Sequence, residues 1–401
     1  MRITMLSTDY LPNIGGVAQH IYELSRALQA DGADVEIICI ASSAKWSDLL
    51  KKPQLEQCAG LPTFRIPWVC NRSIKFFSGH LSSRLSQHLF VRAAGRRLAE
   101  RPPDVLHWHA ISMQNFSAAA FPGAKIWTNH TSNFIEGIRQ SSWLSSYQRE
   151  AASADAIICP SDELADLTVQ IGMPRDKVHF ISNGVDSRRF RPDVDTSVWR
   201  NRLRLDPGTQ LVLCPRRLEK KNGVRFFVEA ALEVLADRQQ NCVFAIAGNY
   251  TGPRNDSDED VVSALIANSP FGGCFRLLGR VENSEIPGLY AASHHVVMPS
   301  LLEATSLSAM EAMASGKAVL STNVGGLPFL VRDGENGILV PPADSHALAK
   351  GMKHLLANPD LCARRGAAGR RRVEEDLDWS KIARQTLDIY RRAGADFPQR
   401  P

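Results

Sequence analysis

The chain has 401 residues, of which 44% are hydrophobic and 22% are charged, and its formal net charge is +5. At roughly 150 residues per domain, this length predicts two or three domains, and the composition is that of a globular protein rather than a disordered one. The excess of basic residues is small for this length, so we expect no nucleic-acid partner.

The eight cysteines are scattered, and none of them forms a C-x-x-C pair. Zinc ribbons and thiol redox motifs are therefore excluded. The apolar segment at the N-terminus is too short for a signal peptide, so we expect reduced thiols in a cytoplasmic protein. No apolar stretch reaches about 18 residues, the length that a membrane-spanning helix needs.

Short apolar runs alternate with helical patterns along the whole chain. Continuous apolar runs of this kind are typical of parallel strands covered on both faces, and the alternation predicts two doubly wound α/β domains. The predicted strands are Arg2–Ser7, Val35–Ile40, Val105–His107, Lys125–Thr128, Ala156–Cys159 and Val178–Ile181 in the first half, and Leu211–Cys214, Val243–Ala247, Phe275–Leu278, His295–Met298 and Ala318–Ser321 in the second.

A polar segment with a proline, residues 190–196, separates the two series of strands and predicts a linker. We therefore place one domain at residues 1–191 and another at residues 192–375. The remaining residues, 376–401, contain a helical pattern with a single apolar face, which we predict crosses back to the first domain rather than capping the second. That face carries Trp379, Ile382, Ala383, Thr386, Leu387 and Tyr390.

An anion site is predicted after the first strand, where Gly15 and Gly16 precede a helix. Accessible backbone N–H groups and the helix dipole both favour a negatively charged ligand there, although a plain tight turn would use the same residues. The apolar face of that helix carries Val17, Ile21, Leu24 and Leu28. The loop matches neither G-x-G-x-x-G nor G-x-x-x-x-G-K-[ST], so we expect neither a nicotinamide cofactor nor a P-loop.

Two histidines end the third predicted strand, and another one follows the next strand. The chain direction carries His109 past the carboxyl end of its strand, where open α/β sheets bind ligands. We therefore expect His109 to be exposed and His107 to belong to the core. His130 is a second candidate at a similar level, and a buried, hydrogen-bonded core histidine is the alternative for each.

A basic run follows the first strand of the second half, in a turn closed by Gly223. Its four cations are Arg216, Arg217, Lys220 and Lys221. A strand-to-helix turn of this kind is where a phosphate group would bind, and a solvated charged surface is the alternative.

Two glutamates eight residues apart, Glu303 and Glu311, follow another strand. Candidate N-cap residues are Thr305, Ser306 and Ser308, and a helix beginning near Ser306 would place Glu303 beside its electropositive end. Glu311 lies about two turns further on, in an apolar helix, where a carboxylate is costly unless a ribose diol or a structural arginine pairs with it.

Together these motifs resemble glycosyltransferase family 4, a retaining family of the GT-B fold, along nearly the whole chain. The matching residues are Gly15-Gly16-Val17, residues 104–109, residues 183–186, Arg217 with Lys221 (or Arg216 in an alternative register), and Glu303 with Glu311. The chain departs from the family at Thr305-Ser306-Leu307, where Phe-Gly-Leu is common, and at Asn222, which occupies a common lysine position. The resemblance implies two Rossmann-like domains that face a central cleft.

The resemblance also implies a reaction and a set of roles. A sugar moves with retention from a UDP- or GDP-sugar to a hydroxyl acceptor, in the synthesis of a cell-surface glycan, polysaccharide or glycolipid. The implied catalytic residues are His109, which binds the sugar near O6, Arg217 and Lys221, which stabilise the departing diphosphate, and Glu303, which contacts the sugar near C3. Substrate-binding roles are implied for Gly15, Gly16, His130, Arg216, Val281, Thr305, Ser306, Leu307 and Glu311, with Glu311 at the ribose and the backbone near Val281 at the base.

No protein nucleophile, metal or cofactor is expected. Three D-x-D strings, at residues 193–195, 256–258 and 376–378, lie in polar stretches rather than at the ends of buried strands. Two alternatives keep the same fold. One is a sugar-nucleotide epimerase or phosphorylase, against which the glutamate pair argues, and the other is a silent subunit that binds nucleotide sugars, against which the cations argue.

The acceptor is the subject of a separate prediction. Between Asn71 and Arg101 there are seven lysines and arginines and one acid, Glu100. Basic and apolar stripes run side by side along this segment, a pattern that suits a helix on an anionic bilayer. The stripes are Arg84, His88, Arg92 and Arg96, and Leu81, Leu85, Leu89 and Ala93. Because members of the resembled family that extend lipid-linked glycans dock on the inner membrane, the resemblance implies that residues 68–101 contact the inner face of the membrane near a lipid-linked acceptor. The alternative is an ordinary helix with its leucines in the core.

Overall fold

A computed structural model describes residues 1–12, 15–43, 51–69, 78–109, 118, 121–130, 141–237, 241–249 and 256–394. The chain divides into two compact units. The first comprises Met1–Ser182 together with the C-terminal segment from Trp379, and the second comprises Asn183–Asp378. The divisions therefore fall after Ser182 and after Asp378, whereas the sequence placed them before residues 192 and 376.

The first unit contains an eight-stranded sheet in the order β3-β4-β2-β1-β5-β6-β7-β8. All neighbouring strands are parallel except the hairpin β3–β4 at one edge. The strands are β1 (Arg2–Ser7), β2 (Asp34–Ser43), β3 (Gln54–Cys58), β4 (Leu61–Val69), β5 (Val105–His109), β6 (Ala124–Thr128), β7 (Ala156–Cys159) and β8 (Val178–Phe180). The helices between them are α1 (Gly16–Ala30), α2 (Ser78–Glu100), α3 (Ser141–Ala152) and α4 (Asp162–Gln170).

The second unit contains a six-stranded, fully parallel sheet in the order β11-β10-β9-β12-β13-β14. The strands are β9 (Gln210–Cys214), β10 (Cys242–Ala247), β11 (Phe275–Gly279), β12 (His295–Met298), β13 (Ala318–Thr322) and β14 (Gly337–Val340). The helices are α5 (Ser197–Arg202), α6 (Val224–Ala236), α7 (Glu259–Ala267), α8 (Ile286–Ala292), α9 (Leu307–Ala314), α10 (Leu327–Leu330), α11 (Ser345–Ala357) and α12 (Pro359–Arg372), followed by a π-helical turn at Val373–Leu377.

Both sheets are doubly wound, as predicted. Counted within the second unit, its strand order is 3-2-1-4-5-6, the order of dinucleotide-binding folds. The order reverses between β9 and β12 in that unit and between β1 and β5 in the first. Ligands of open α/β sheets bind at the carboxyl ends of the strands at such a reversal.

The terminal helix α13 (Trp379–Arg392) packs against α1 and completes the core of the first unit. Every residue of its predicted apolar face is buried. The Tyr390 hydroxyl lies 2.7 Å from Nδ1 of His107, a residue of the fully buried strand β5. The prediction that this helix crosses back to the first domain is confirmed.

The segment predicted to be a linker belongs to the second unit instead. Phe190 is 3% exposed and packs edge-on against Tyr290. The Arg370 guanidinium donates hydrogen bonds to the carbonyls of Ser187 and Phe190, at 2.8 and 2.6 Å. A polar sequence with a proline can thus be fixed in place by one buried aromatic ring and one arginine, which is why the pattern was misleading.

Three strands were not predicted, namely β3, β4 and β14. β3 lies at the exposed edge of its sheet, so it has no apolar run. β4 is interrupted by Pro62, Arg65 and Pro67, and β14 is only four residues long. The seven cysteines that the structure describes are free thiols. Among the described residues, no helix is long and apolar enough to cross a membrane.

Candidate functional site

Two loops meet at the strand-order reversal of the second unit, one after β9 and one after β12. The carbonyl of Lys221 accepts hydrogen bonds from the backbone N–H groups of Leu301 and Leu302, at 2.7 and 3.2 Å. Gly223 lies so close to the second loop that a Cβ atom would sit 1.9 Å from the Pro299 carbonyl oxygen, and its φ is +66°. Only glycine fits this position, because the absence of a Cβ atom allows the two loops to approach this closely.

Arg216 links the same two loops through its side chain. Its guanidinium forms a salt bridge with Glu303, and the two side chains are only 12% and 13% exposed. The guanidinium also donates to Asn222 Oδ1 at 2.7 Å, while Asn222 Nδ2 donates to the Arg217 carbonyl at 2.9 Å. Asn222 stands at a position where the resembled family commonly has a lysine, and here it holds Arg216 in place. Charge-assisted contacts of this kind are the stronger hydrogen bonds in proteins.

Two of the other three predicted cations, Arg217 and Lys221, share a different partner. Arg217 is 63% exposed and lies 2.7 Å from one carboxylate oxygen of Glu219. Lys221 is 36% exposed and lies 3.5 Å from the other oxygen. The structure thus places Arg216 beside Glu303, whereas the sequence gave first place to Arg217 and treated Arg216 as the alternative register.

Helix α9 begins where the sequence predicted. Ser306 is its N-cap residue, and the Ser306 hydroxyl accepts a hydrogen bond from the Ala309 N–H at 3.2 Å. Thr305 and Leu307 on either side are partly exposed, whereas Ser306 is 1% exposed. The hydroxyl of Ser306 thus caps the helix, and the first-turn N–H groups beside it carry the positive end of the helix dipole.

Glu311 is partly exposed on α9, and its carboxylate accepts a hydrogen bond from the buried Tyr290 hydroxyl at 2.9 Å. Burial raises the pKa of Tyr290 well above its usual value, and the nearby Glu311 charge raises it further, so the phenol stays a donor. Tyr290 is therefore one protein partner of Glu311, and the sequence had suggested an arginine for this role. Val281 follows β11 and packs on the unit's core.

Three histidines come together at the strand-order reversal of the first unit. His109 Nδ1 and His130 Nε2 lie 2.9 Å apart and share a hydrogen bond. The ring of His20, from α1, lies 4.4 Å from the His130 ring and 5.6 Å from the His109 ring. The ring of His107 packs against His109, but its two nitrogens are used by Tyr390 and Thr128, at 2.7 and 2.6 Å.

The prediction that His109 is the exposed histidine of its strand is wrong. Both His107 and His109 are fully buried, because β5 lies between β1 and β6 in the middle of the sheet and still includes His109. Burial lowers the pKa of His109 and of His130 well below the usual value, so both imidazoles are neutral at pH 7. His130 is partly exposed and is the member of the pair that a ligand can reach.

Helix α1, which carries His20, begins four residues before that histidine, at Gly16. Gly15 is its N-cap residue and Gly16 its first residue, as the glycine pair predicted. Gly15 has no side chain to cap this end and no acid lies in the first turn of α1, but the Asp9 carboxylate is close, 3.3 Å from where a Cβ atom of residue 15 would lie. Backbone N–H groups and the helix dipole are thus the local source of positive potential.

Comparisons with known proteins agree with these features. A sequence model described as Glycosyltransferase Family 4 matches residues 14–189, and one described as Glycosyl transferases group 1 matches residues 195–372. The chain belongs to glycosyltransferase family 4. It is therefore a sugar-nucleotide glycosyltransferase, a retaining enzyme of the GT-B fold.

Relatives of this glycosyltransferase span its whole length. Alpha-maltose-1-phosphate synthase from Mycolicibacterium smegmatis is 28% identical over 98% of this chain and 100% of its own. D-inositol 3-phosphate glycosyltransferase from Nocardioides sp. is 27% identical, covering 99% of this chain and 91% of its own.

Solved structures show the same fold. Sucrose-phosphate synthase from Thermosynechococcus elongatus superimposes with a TM-score of 0.76 at 24% identity, over 98% of both chains. HepE from Anabaena in complex with UDP-glucose has a TM-score of 0.77 at 19% identity, over 98% of this chain and 100% of its own.

Two residues of the glycosyltransferase's site were missed from its sequence. His20 lies three residues after Val17 and four before Leu24, on the apolar face of α1, so its position on that face was available as a signal. Tyr290 lies in α8, and nothing in its local pattern links it to Glu311.

Proposed function

We propose that the second unit binds the nucleotide diphosphate sugar at the carboxyl ends of β9 and β12, with the diphosphate against Arg216 and Lys221. The observation that carries this proposal is the salt bridge between Arg216 and Glu303, which joins the loops at the reversal of strand order. An arginine already held by hydrogen bonds needs little reorganisation when a diphosphate arrives.

In this proposal, Arg216 and Lys221 stabilise the charge that grows on the departing diphosphate. A cation fixed in that position interacts more strongly with the transition state than with the ground state, so it lowers the barrier directly. The exposed position of Arg217 beside Glu219 favours a weaker role for it than the sequence suggested. Glu303 contacts the donor sugar near C3 and orients the guanidinium.

The nucleoside lies further along the same edge in this proposal. Glu311 accepts the ribose hydroxyls, and its hydrogen bond with Tyr290 fixes the orientation of the carboxylate. The backbone near Val281 meets the base, and the first turn of α9, at Leu307, supplies N–H groups to the phosphate with Thr305 and Ser306 beside it. The donor is a UDP- or GDP-sugar.

The first unit contributes the glycine loop and the histidine pair. We assign Gly15 and Gly16 to substrate binding at the N-terminus of α1. His109 remains our candidate for contact with the sugar near O6. Because His130 is the more exposed of the pair, its ring meets the ligand first, and the hydrogen bond that it shares with His109 sets its orientation.

A donor panel tests the proposed reaction. Full-length protein is incubated with UDP-, GDP- and ADP-sugars, and release of nucleoside diphosphate is measured with and without EDTA. We expect release from one UDP- or GDP-sugar that survives chelation. Conversion of the donor into an epimer without release would favour the epimerase alternative, and binding without any turnover would favour the silent subunit.

For the acceptor, we propose a lipid-linked hydroxyl at an anionic bilayer, and the structure of α2 supports this. The residues of α2 that face the core are Ser86, Phe90, Ala94 and Leu98. The predicted leucine stripe lies on another face, where Leu85 is 42% exposed and Leu89 is partly exposed. An ordinary core-facing leucine stripe would have been buried. The side chains of Leu81 and Arg84 lie outside the described residues.

A groove beside α2 combines apolar and basic side chains. Its volume is about 570 Å³, and its lining includes Phe64, Ile66, Leu89, Lys51, Lys52, Arg92 and Arg96. Arg97, also in the lining, is paired with the buried Glu36 and is therefore structural. Apolar surface beside basic side chains is the chemistry that binds anionic lipid headgroups and the upper part of their chains.

Sedimentation with phosphatidylglycerol vesicles tests this surface. We expect the protein to pellet at low salt and to stay in solution at high salt, because the attraction is screened. The double variant Arg92→Glu/Arg96→Glu should abolish pelleting without changing donor hydrolysis. Arg384→Glu/Arg391→Glu, on the terminal helix, changes the net charge equally and should still pellet. Wild-type protein that stays in the supernatant at low salt would favour a soluble acceptor.

A further inference from the structure

The histidine group of the first unit has a geometry that its proposed substrate role does not require. Each member comes from a different element: His20 from α1, His109 from the end of β5, and His130 from the segment after β6. One ring nitrogen of each lies within 4.8 Å of the others. Three imidazoles from separate elements therefore converge on one point at the carboxyl edge of the sheet.

The distances approach those of a metal centre. Imidazole nitrogens bind Zn²⁺ at about 2.0–2.1 Å, so two nitrogens of a tetrahedral site lie roughly 3.4 Å apart. His109 Nδ1 and His130 Nε2 are 2.9 Å apart, and they need to separate only slightly to admit an ion between them. The proton that they share would move to the other nitrogen of its ring. For His109 that nitrogen is Nε2, which lies 3.4 Å from the Met5 sulfur, a weak acceptor.

We propose that His20, His109 and His130 form a Zn²⁺ site with a fourth position left open. Three nitrogen ligands with an open position are the pattern of zinc sites that exchange water or substrate, and imidazole suits this borderline metal. The partly exposed ring of His130 provides the route by which the ion enters.

The surroundings of the group would hold its ligands in place. His107 packs against the His109 ring at 4.1 Å between centroids and is itself fixed by Tyr390 and Thr128. The ring of Trp379 packs edge-on against His20 at 5.2 Å. Packing of this kind around metal ligands limits the rotations that would otherwise weaken binding.

Occupancy of the site has a consequence for the reaction, and this step rests on the substrate role proposed above for His109 and His130. An ion that uses both imidazoles prevents them from contacting the sugar. Zn²⁺ is therefore expected to inhibit transfer, and removal of the metal by chelation is expected to restore it.

The experiment measures metal binding directly. Full-length protein, stripped of metal, is titrated with Zn²⁺ in competition with a fluorescent chelator, and with Co²⁺ while visible absorption is recorded. We expect one tight equivalent and the d–d bands of tetrahedral Co²⁺. His20→Phe keeps an aromatic ring against Trp379 and should weaken this equivalent at least about 100-fold. His346→Gln is the matched control, because His346 and Glu233 form an exposed pair in the second unit that can bind metal adventitiously.

X-ray absorption on the zinc-loaded wild-type protein makes the test independent of how well a variant folds. Three nitrogen scatterers at imidazole distances, with no sulfur, support the site. Sulfur ligation, which the free thiols of Cys39 and Cys58 beside Arg65 could supply, overturns it. Zinc affinity unchanged by His20→Phe, or lost with His346→Gln, also overturns it. Zinc binding at the histidines without inhibition would leave the metal site intact and refute the substrate role instead.

Discussion

In both sheets the site lies at the carboxyl edge, where the strand order reverses, but the two edges carry opposite kinds of side chain. In the second unit, cations and carboxylates pair across two loops, with Arg216 held between Glu303 and Asn222. In the first unit, the corresponding edge carries neutral, largely buried imidazoles and a helix N-terminus whose N-cap residue is a glycine. The fold supplies the location in both cases, and the loop residues decide whether the site stabilises charge or forms neutral contacts.

Replacing Arg216, the arginine that joins the two loops of the charged edge, should give the largest loss of activity. Arg216→Ala removes a preorganised cation, and we expect kcat to fall about 10²–10³-fold with a smaller change in donor affinity. Arg217→Ala removes the same charge one residue away and should cost less than about tenfold. Steady-state kinetics with the preferred donor provide the measurement. Equal losses, or a larger loss for Arg217→Ala, would restore the register first inferred from the sequence.

Gly223→Ala tests whether the charged edge depends on the contact between its loops. The Cβ atom would overlap the Pro299 carbonyl at a φ of +66°, and we expect a loss of about 3 kcal/mol in the free energy of unfolding. Gly208→Ala has a similar positive φ, +84°, but an open surrounding, so it should cost only about 1 kcal/mol. Denaturant titration of both variants separates the clash from the backbone strain. Similar losses would mean that the loops simply move apart.

Glu311→Gln sharpens the assignment of the nucleoside end of the charged edge. Loss of the ribose contact should weaken nucleoside diphosphate binding by about 1.5–3 kcal/mol, as measured by calorimetry. Tyr290→Phe keeps the carboxylate and removes only its hydroxyl donor, so a smaller loss is expected. An exposed acid elsewhere, Glu335, gives the control Glu335→Gln. Full affinity in a folded Glu311→Gln protein contradicts the ribose role.

Buried neutral histidines also make stability depend on pH, and the second unit has its own example. Burial lowers the pKa of His295 to about 3, so below pH 6.5 the unfolded chain binds a proton that the folded chain does not. Stability should therefore fall as the pH is lowered, by about 2 kcal/mol at pH 5 for this residue. Neither ring nitrogen has a hydrogen-bond partner within the part of the chain that the structure describes.

His295→Leu should consequently be tolerated at pH 7.5 and should be more stable than the wild type at pH 5. The exposed His346 supplies the control His346→Leu, which makes the same substitution at a histidine that is not buried. Thermal unfolding at both pH values provides the comparison. A His295→Leu protein that loses stability equally at both values would show that packing, not protonation, dominates at this position.

The fold could be predicted from the sequence because buried parallel strands are continuous apolar runs. Arg2–Ser7, Ala156–Cys159 and His295–Met298 have the bounds that the pattern indicated. The exposed strand β3 has no such run and was missed. A run of apolar residues indicates which side chains a strand buries, so it does not reveal strands that bury few side chains.

The site was predictable in position but not in pairing. Motif spacing located Glu303, Glu311 and the basic run, and Ser306 was found as an N-cap candidate from its residue type. The choice between Arg216 and Arg217 depends on which side chain turns towards the loop after β12. The two arginines are neighbours in the sequence, and the motif alone does not show which of them does so. The exposure of His109 was misjudged because β5 extends through it, and strand ends are the least certain feature of a sequence pattern.

The crossing-back helix has a consequence for how the protein is made. The second unit is continuous in the chain, whereas the core of the first unit includes Trp379, Ile382 and Tyr390 near the end of the chain. A ribosome releases residues in order, at about 5–20 per second. The part translated first therefore stays without this helix until the second unit has been translated, and the second unit can complete its folding earlier. A message truncated before the codon for Trp379 would yield a folded second unit attached to a first unit that lacks this helix.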